Sequence, residues 1–170
     1  MPGGVRGYKS TADHILGLVA VTEMTQEVLV EAIAEQFDTK GGQSTVGYVR
    51  VLQYLGLVDV SDKVRLTSIG RAYLDAPSSR AMFDRIDATY AAFLACLVSA
   101  ELDGVLGKLN ARTRLNHLLG SDWKSDNQPG FRRNWLLSLG MVERVQKGDV
   151  LTDAGRAVLA ERREHADALA

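Results

Sequence analysis

Residues 52–74 read LQYLGLVDVSDKVRLTSIGRAYL, and residues 136–159 read LLSLGMVERVQKGDVLTDAGRAVL. Leu52/Leu136, Leu55/Leu139, Gly56/Gly140 and Val58/Val142 match at an offset of 84 residues. Leu66/Leu151, Thr67/Thr152, Gly70/Gly155, Arg71/Arg156, Ala72/Ala157 and Leu74/Leu159 match at 85, so the second copy carries one extra residue in the intervening turn. Two copies are too few for a solenoid, which needs about three stacked units, so the pattern predicts two related domains.

Each copy has the same local grammar. In the first, Val51, Leu52 and Leu55 recur at helical spacing, and Gly56 follows where a helix ends in the left-handed conformation. Val58 and Val60, then Val64 and Leu66, alternate as strands do around the polar turn Ser61, Asp62 and Lys63. Thr67 is placed to cap a helix carrying Ile69, Ala72 and Tyr73. The result is helix, hairpin, helix.

Working outward, residues 12–21 predict a helix with Ile15, Leu16 and Val19 inward. Thr25 can cap another, with Val28, Leu29, Ala32, Ile33 and Phe37 as its apolar stripe and Glu27, Glu31 and Glu35 on the other side. Gly41 and Gly42 turn the chain before Ser44 and Thr45 open the helix of the first copy. Between the copies, Pro77, Ser78 and Ser79 end one element and cap a long helix expected over about 79–101, with Met82, Phe83, Ile86, Tyr90, Phe93, Leu94 and Leu97 on one face. Leu115, Leu118 and Leu119 predict a helix opening near Asn110. Pro129 fits the first turn of the helix carrying Trp135, Leu136 and Leu139. The expected fold is mainly α with small β-hairpins, in two domains over 1–77 and 78–170 that share the long central helix.

Composition sets the class. With 170 residues, 46% of them hydrophobic and 24% charged, the chain is not wholly disordered. A single cysteine, Cys96, excludes an internal disulfide and suits a reducing compartment. The opening MPGGVRGYKS lacks the apolar core of a secretion signal, and no run of ~18 apolar residues appears, so a cytoplasmic protein with no membrane partner is expected. Net charge is −1, but it is distributed in blocks. Residues 11–38 carry six acids and no base, residues 39–71 five bases and two acids, and residues 105–147 eight bases and three acids. Such basic segments can create a local positive field that the net charge conceals, or can be ordinary solvated faces.

The segments STVGYVRVLQYLGLVDVSDKVRLTSIGRAYL and QPGFRRNWLLSLGMVERVQKGDVLTDAGRAVL, with their order of helix, LG(L/M)V, hairpin and LTxxGRA, resemble winged helix-turn-helix domains. The second copy, with Trp123 ahead of Gln128, RRNWL and SLGMVE, is also similar to winged-helix DNA-reading regions of bacterial restriction enzymes. Tandem winged-helix transcription regulators are a further likeness. The resemblance implies that helices beginning at Ser44 and Gln128 enter the major groove of double-stranded DNA, while the hairpins lie along the backbone or minor groove. Arg132, Arg133 and Asn134 then become candidate base readers, since Arg suits guanine and Asn suits adenine. The first copy offers Gln43, Ser44, Thr45, Tyr48 and Arg50. Lys63, Arg65 and Lys147 on the hairpins, with Lys40 and Lys124 in the turns, are candidate phosphate contacts. Arg132 corresponds to Tyr48, and helical periodicity leads us to expect at least one of Arg132 and Arg133 to be well exposed. A regulator, a recognition module with a nuclease or ATPase partner, and a homodimer are all compatible with this; no cofactor is implied.

Plainer roles stand beside these. Thr67 and Thr152 suit caps better than DNA contacts. Arg71 and Arg156 can bind phosphate or pair with an acid, the ion pair being favoured. Trp135 falls on the core face; Trp123 can cover the small core or stack on a base. His14, His117 and His165 are scattered, and one cysteine makes no zinc spacing, so an enzyme is not expected. The triplet Asp122, Trp123 and Lys124 is a weak nuclease signal in a turn. The rival class is a protein-interaction adaptor, which the acidic Glu27, Glu31 and Glu35 face fits.

Overall fold

A computed structural model describes residues 4–38, 43–107 and 110–168, with the side chains of Gln43 and Ser44 outside that description. The protein is mainly helical with two small antiparallel hairpins, and it divides into two compact units, Met1–Thr89 and Tyr90–Ala170.

The first unit runs α1 (Tyr8–Val21), α2 (Gln26–Gln36), α3 (Gln43–Tyr54), β1 (Val58–Val60), β2 (Val64–Leu66), α4 (Ser68–Asp75) and α5 (Ser79–Thr89). Apolar spacing explains its helices: Ile15 and Leu16 on α1, Leu29 and Ile33 on α2, and Val49 and Leu52 on α3 are all buried. The Thr25 hydroxyl accepts from the Val28 amide and so caps α2, a contact worth about 1 kcal/mol. Helix α2 packs against α3, and α1 packs against β2 and α4.

The second unit runs α6 (Phe93–Leu102), α7 (Ala111–Leu119), α8 (Asn127–Ser138), β3 (Val142–Val145), β4 (Gly148–Leu151) and α9 (Asp153–Ala168). Phe93, Cys96, Leu97, Leu115, Trp135 and Leu136 are buried, and Trp135 thus takes the core position its spacing predicts. Pro129 lies in the first turn of α8.

The repeat is visible in the hydrogen bonds as well as the letters. Each helix ahead of a hairpin ends in a glycine with φ of 69°, Gly56 or Gly140, a conformation that glycine adopts without steric cost. The Leu57 amide then donates to Leu52 O, and the Met141 amide to Leu136 O. Both hairpins keep the same register: Val58 pairs with Leu66 as Val142 pairs with Leu151, and Val60 pairs with Val64 as Arg144 pairs with Asp149. Thr67 donates to Gly56 O and accepts from the Gly70 amide; Thr152 does the same with Gly140 O and the Gly155 amide. Both threonines are therefore caps. Arg71 and Arg156 donate to the carbonyls of Leu66 and Leu151, so each clasps its own hairpin, and Arg156 also pairs with Asp153. In each unit an upstream residue bridges the second strand, Met24 to Val64 and Leu106 to Asp149.

The expected long helix over 79–101 is not one helix. Helix α5 ends at Thr89 and α6 begins at Phe93, with Ala92 between them at φ 84°. A left-handed alanine stops helical propagation. The carbonyl of Ala91, left without a helical partner at the break, accepts from Arg132 Nε at 2.7 Å. No helix among the described residues is long and apolar enough to cross a membrane.

Candidate nucleic-acid interface

Helix α3 buries Val49 and Leu52 and turns Arg50, Gln53 and Tyr54 outward, so Arg50 stands exposed on its outer face. Tyr48 is half-buried. Thr45, a candidate contact from the sequence, is fully buried and its hydroxyl has no hydrogen-bond partner, which removes it from any outer surface. Lys40, and the side chains of Gln43 and Ser44, lie outside the described residues. At the hairpin, Lys63 and Arg65 converge on Glu23 at 3.4 and 3.1 Å, and Arg65 also reaches Asp62 at 3.7 Å. The Lys63 hydrogen bond, with Arg65 beside it, lowers the Glu23 carboxyl below its ordinary value. These cations remain partly exposed and are screened by solvent, so the pairs hold the hairpin only weakly.

Helix α8 departs further from expectation. Arg132 and Arg133 are only 5% and 6% exposed, so neither is the outward base reader that periodicity and charge suggested. Arg132 donates to Ala91 O, and also to the backbone and side-chain oxygens of Gln128 at 3.1 and 2.8 Å. Its guanidinium lies 4.5 Å from the Trp123 ring centroid and 5.7 Å from that of Phe93, within cation–π range. Trp123 is thereby a stacking platform for Arg132, and Asn116 fixes its backbone from both sides. Burial lowers the Arg132 pKa from its ordinary value.

Arg133 donates through Nε to Asp149 Oδ2 at 2.6 Å, and Arg144 donates through Nε to Oδ1 at 2.9 Å. Asp149 itself is fully buried. Neither Asp149 nor Arg144 stands out in the sequence as a functional residue. The signal was present in the repeat, where they stand opposite Val64 and Val60, two aliphatic positions changed to charge. With both arginines turned inward, the outer face of α8 presents Asn127 and Gln128 as exposed residues, with Phe131 and Asn134 half-buried. Lys124 and Lys147 are exposed as expected, and Lys124 pairs with Asp122 at 2.5 Å.

A pocket of about 420 Å³ lies between the first turn of α8 and the β3–β4 hairpin, lined by Asp126, Gly130, Arg133, Asn134, Arg144 and Lys147 among others. Its hairpin wall is held close to residues 105–107. A Cβ on Gly148 would come within 2.6 Å of Leu106 O and 2.9 Å of Gly107 Cα. Near this cluster, burial pushes the Cys96 thiol up to about 12, keeping it protonated. No group of three His, Cys, Asp or Glu side chains suited to a metal ion occurs among the described residues. The chain matches no family model, no curated protein and no solved structure.

Proposed function

We propose that the chain is a pair of winged helix-turn-helix units that bind double-stranded DNA, as a regulator or as the recognition part of a nuclease or ATPase system. The observation that supports this most is the twice-used order: a helix packed on a second helix, a glycine turn, and a two-stranded hairpin bearing cations. An α-helix of this kind fits the major groove, and cations on the following hairpin suit phosphates. In this reading the first unit contacts DNA through Arg50, Tyr48 and the Lys63–Arg65 hairpin. The second uses Gln128, Asn134, Lys124 and Lys147, while Arg132 and Arg133 act from inside the unit. Affinity comes from displaced counterions and falls steeply with salt.

Retardation of mixed-sequence duplexes across a salt series tests the proposal. Arg50→Glu with Lys124→Glu is expected to weaken binding and to reduce the slope of log affinity against log salt by about one for each phosphate that is no longer neutralised. No retardation even at low salt overturns it. A second reading, a protein-interaction adaptor, is favoured by the groove where Glu27 and Glu31 of α2 flank Val46 of α3. Those carboxylates repel a phosphate backbone and suit a basic partner. Under that reading, Glu27→Lys with Glu31→Lys abolishes partner capture and leaves duplexes unretarded.

A further inference from the structure

The two copies of the repeat carry their own control. Val49, Val60 and Val64 of the first unit occupy the positions of Arg133, Arg144 and Asp149 in the second. The shared strand register makes the correspondence geometric, since Val60 faces Val64 as Arg144 faces Asp149. Val49 and Val64 are buried, as Arg133 and Asp149 are. The first unit therefore builds the same helix and hairpin with valine at all three positions, and a buried ion pair is often no more stabilising than the apolar residues that can replace it. The charges in the second unit call for another reason.

Their arrangement supplies one. Asp149 is held by backbone bonds in both directions with Leu106, at 2.9 and 3.1 Å, and spends both carboxylate oxygens on the two arginines. One carboxylate offsets one guanidinium and leaves a positive charge over. Both bonds run from Nε, so the terminal amines of Arg133 and Arg144 are not spent on the carboxylate. Arg133, its side chain 7% exposed, lines the wall of the 420 Å³ pocket, and Lys147 adds a third cation. The acid lining that pocket besides these, Asp126, has Arg112 at 3.5 Å. Asp126 is also the N-cap of α8 and makes no side-chain cap bond, and Gly130 leaves open space in the next turn. Of the first-turn residues lining the pocket, Pro129 has no N–H and the Gly130 amide donates to Asp126 O, so this end of α8 adds only the positive end of the helix dipole.

We infer that this pocket binds a phosphate group, with Arg133 as its fixed floor, Arg144 and Lys147 closing from the hairpin, and the first turn of α8 opposite. Arginine pairs with phosphate through two parallel N–H bonds, and Asp149 orients both guanidiniums beforehand. The phosphate belongs either to a small ligand, for which the volume is suitable, or to a DNA backbone; only the second source rests on the reading given under Proposed function.

Calorimetric titration of the full chain with inorganic phosphate, then with pyrophosphate, at ionic strength held constant with sodium chloride tests the site. The wild type is expected to bind saturably. Arg133→Val with Asp149→Val, which installs the apolar pair of the first unit, is expected to lose at least tenfold in affinity while keeping its helical circular dichroism. Arg144→Ala with Lys147→Ala leaves the buried Arg133–Asp149 bond in place and is expected to lose at least fivefold, and it decides the matter should the valine variant fail to fold. Absence of saturable binding by the wild type, or equal affinity in wild type and the folded variants, overturns the inference. Duplex retardation of the same variants separates the sources. Weakened retardation together with competition by phosphate assigns a backbone phosphate; phosphate binding with retardation unchanged or absent assigns a free ligand.

Discussion

A Cβ built on Gly70 would lie 2.0 Å from the carbonyl oxygen of Leu57, and one built on Gly155 would lie 2.2 Å from that of Met141. Backbone cannot yield as the end of a flexible side chain can, so Gly70→Ala or Gly155→Ala is expected to cost about 2 to 3 kcal/mol. Gly17 sits in α1 with open space where its Cβ would be, and Gly17→Ala is expected to add roughly 0.5–1 kcal/mol. Urea unfolding of the three variants checks both signs. The glycines of the LTxxGRA segments were legible as parts of the repeat, since a shared backbone approach demands the same residue twice. The arginines were not. Arg133 aligns with Val49, a core position, but its charge suggested an outward role, and its acid partner lies across the hairpin where helical spacing does not point.

Among the elements, those bounded by local chemistry were the readable ones: Thr25, Thr67 and Thr152 cap where their sequence context places them, and Gly56 and Gly140 end their helices. The break between α5 and α6 was unreadable because residues 89–93 contain neither Gly nor Pro. Tertiary contacts support it instead: Arg132 takes Ala91 O, while Phe131 meets the rings of Tyr90 and Phe93 edge to face. The left-handed conformation of Ala92 costs roughly 1 kcal/mol that glycine does not incur. Ala92→Gly is accordingly expected to raise stability by up to about 1 kcal/mol, and Ala92→Val to lower it, in thermal unfolding followed by circular dichroism. Arg132→Ala is the companion variant, and it is expected to erase the gain by uncapping Ala91 O.

For the whole molecule, two buried acids contribute to the loss of stability at alkaline pH. The Tyr73 hydroxyl donates to Asp13 Oδ1 at 2.6 Å, and burial together with that bond raises its pKa above the ordinary 10.0. The Cys96 thiol is raised from 9.0 to about 12. Both groups prefer the protonated form in the folded state, so their contribution is complete below about pH 9 and is lost as pH rises through the folded values. Urea midpoints are expected to fall between about pH 9 and pH 12, and Cys96→Ala to flatten the earlier part of that decline. At this scale the duplication was the most legible feature, because matching residues repeat the same backbone bonds; the divergence at Val60/Arg144 and Val64/Asp149 was written beside it but has meaning only once the strand register is known. Gly148 carries that divergence one step further. Only a residue without a Cβ fits there, because a Cβ would meet Leu106 O and Gly107 Cα, and the bonds between Leu106 and Asp149 tie the hairpin to that stretch of chain. For a phosphate bound as proposed, this sets an opening of fixed gauge, and Gly148→Ala, by prising the jaw ajar, is expected to loosen selection by size before it loosens selection by charge.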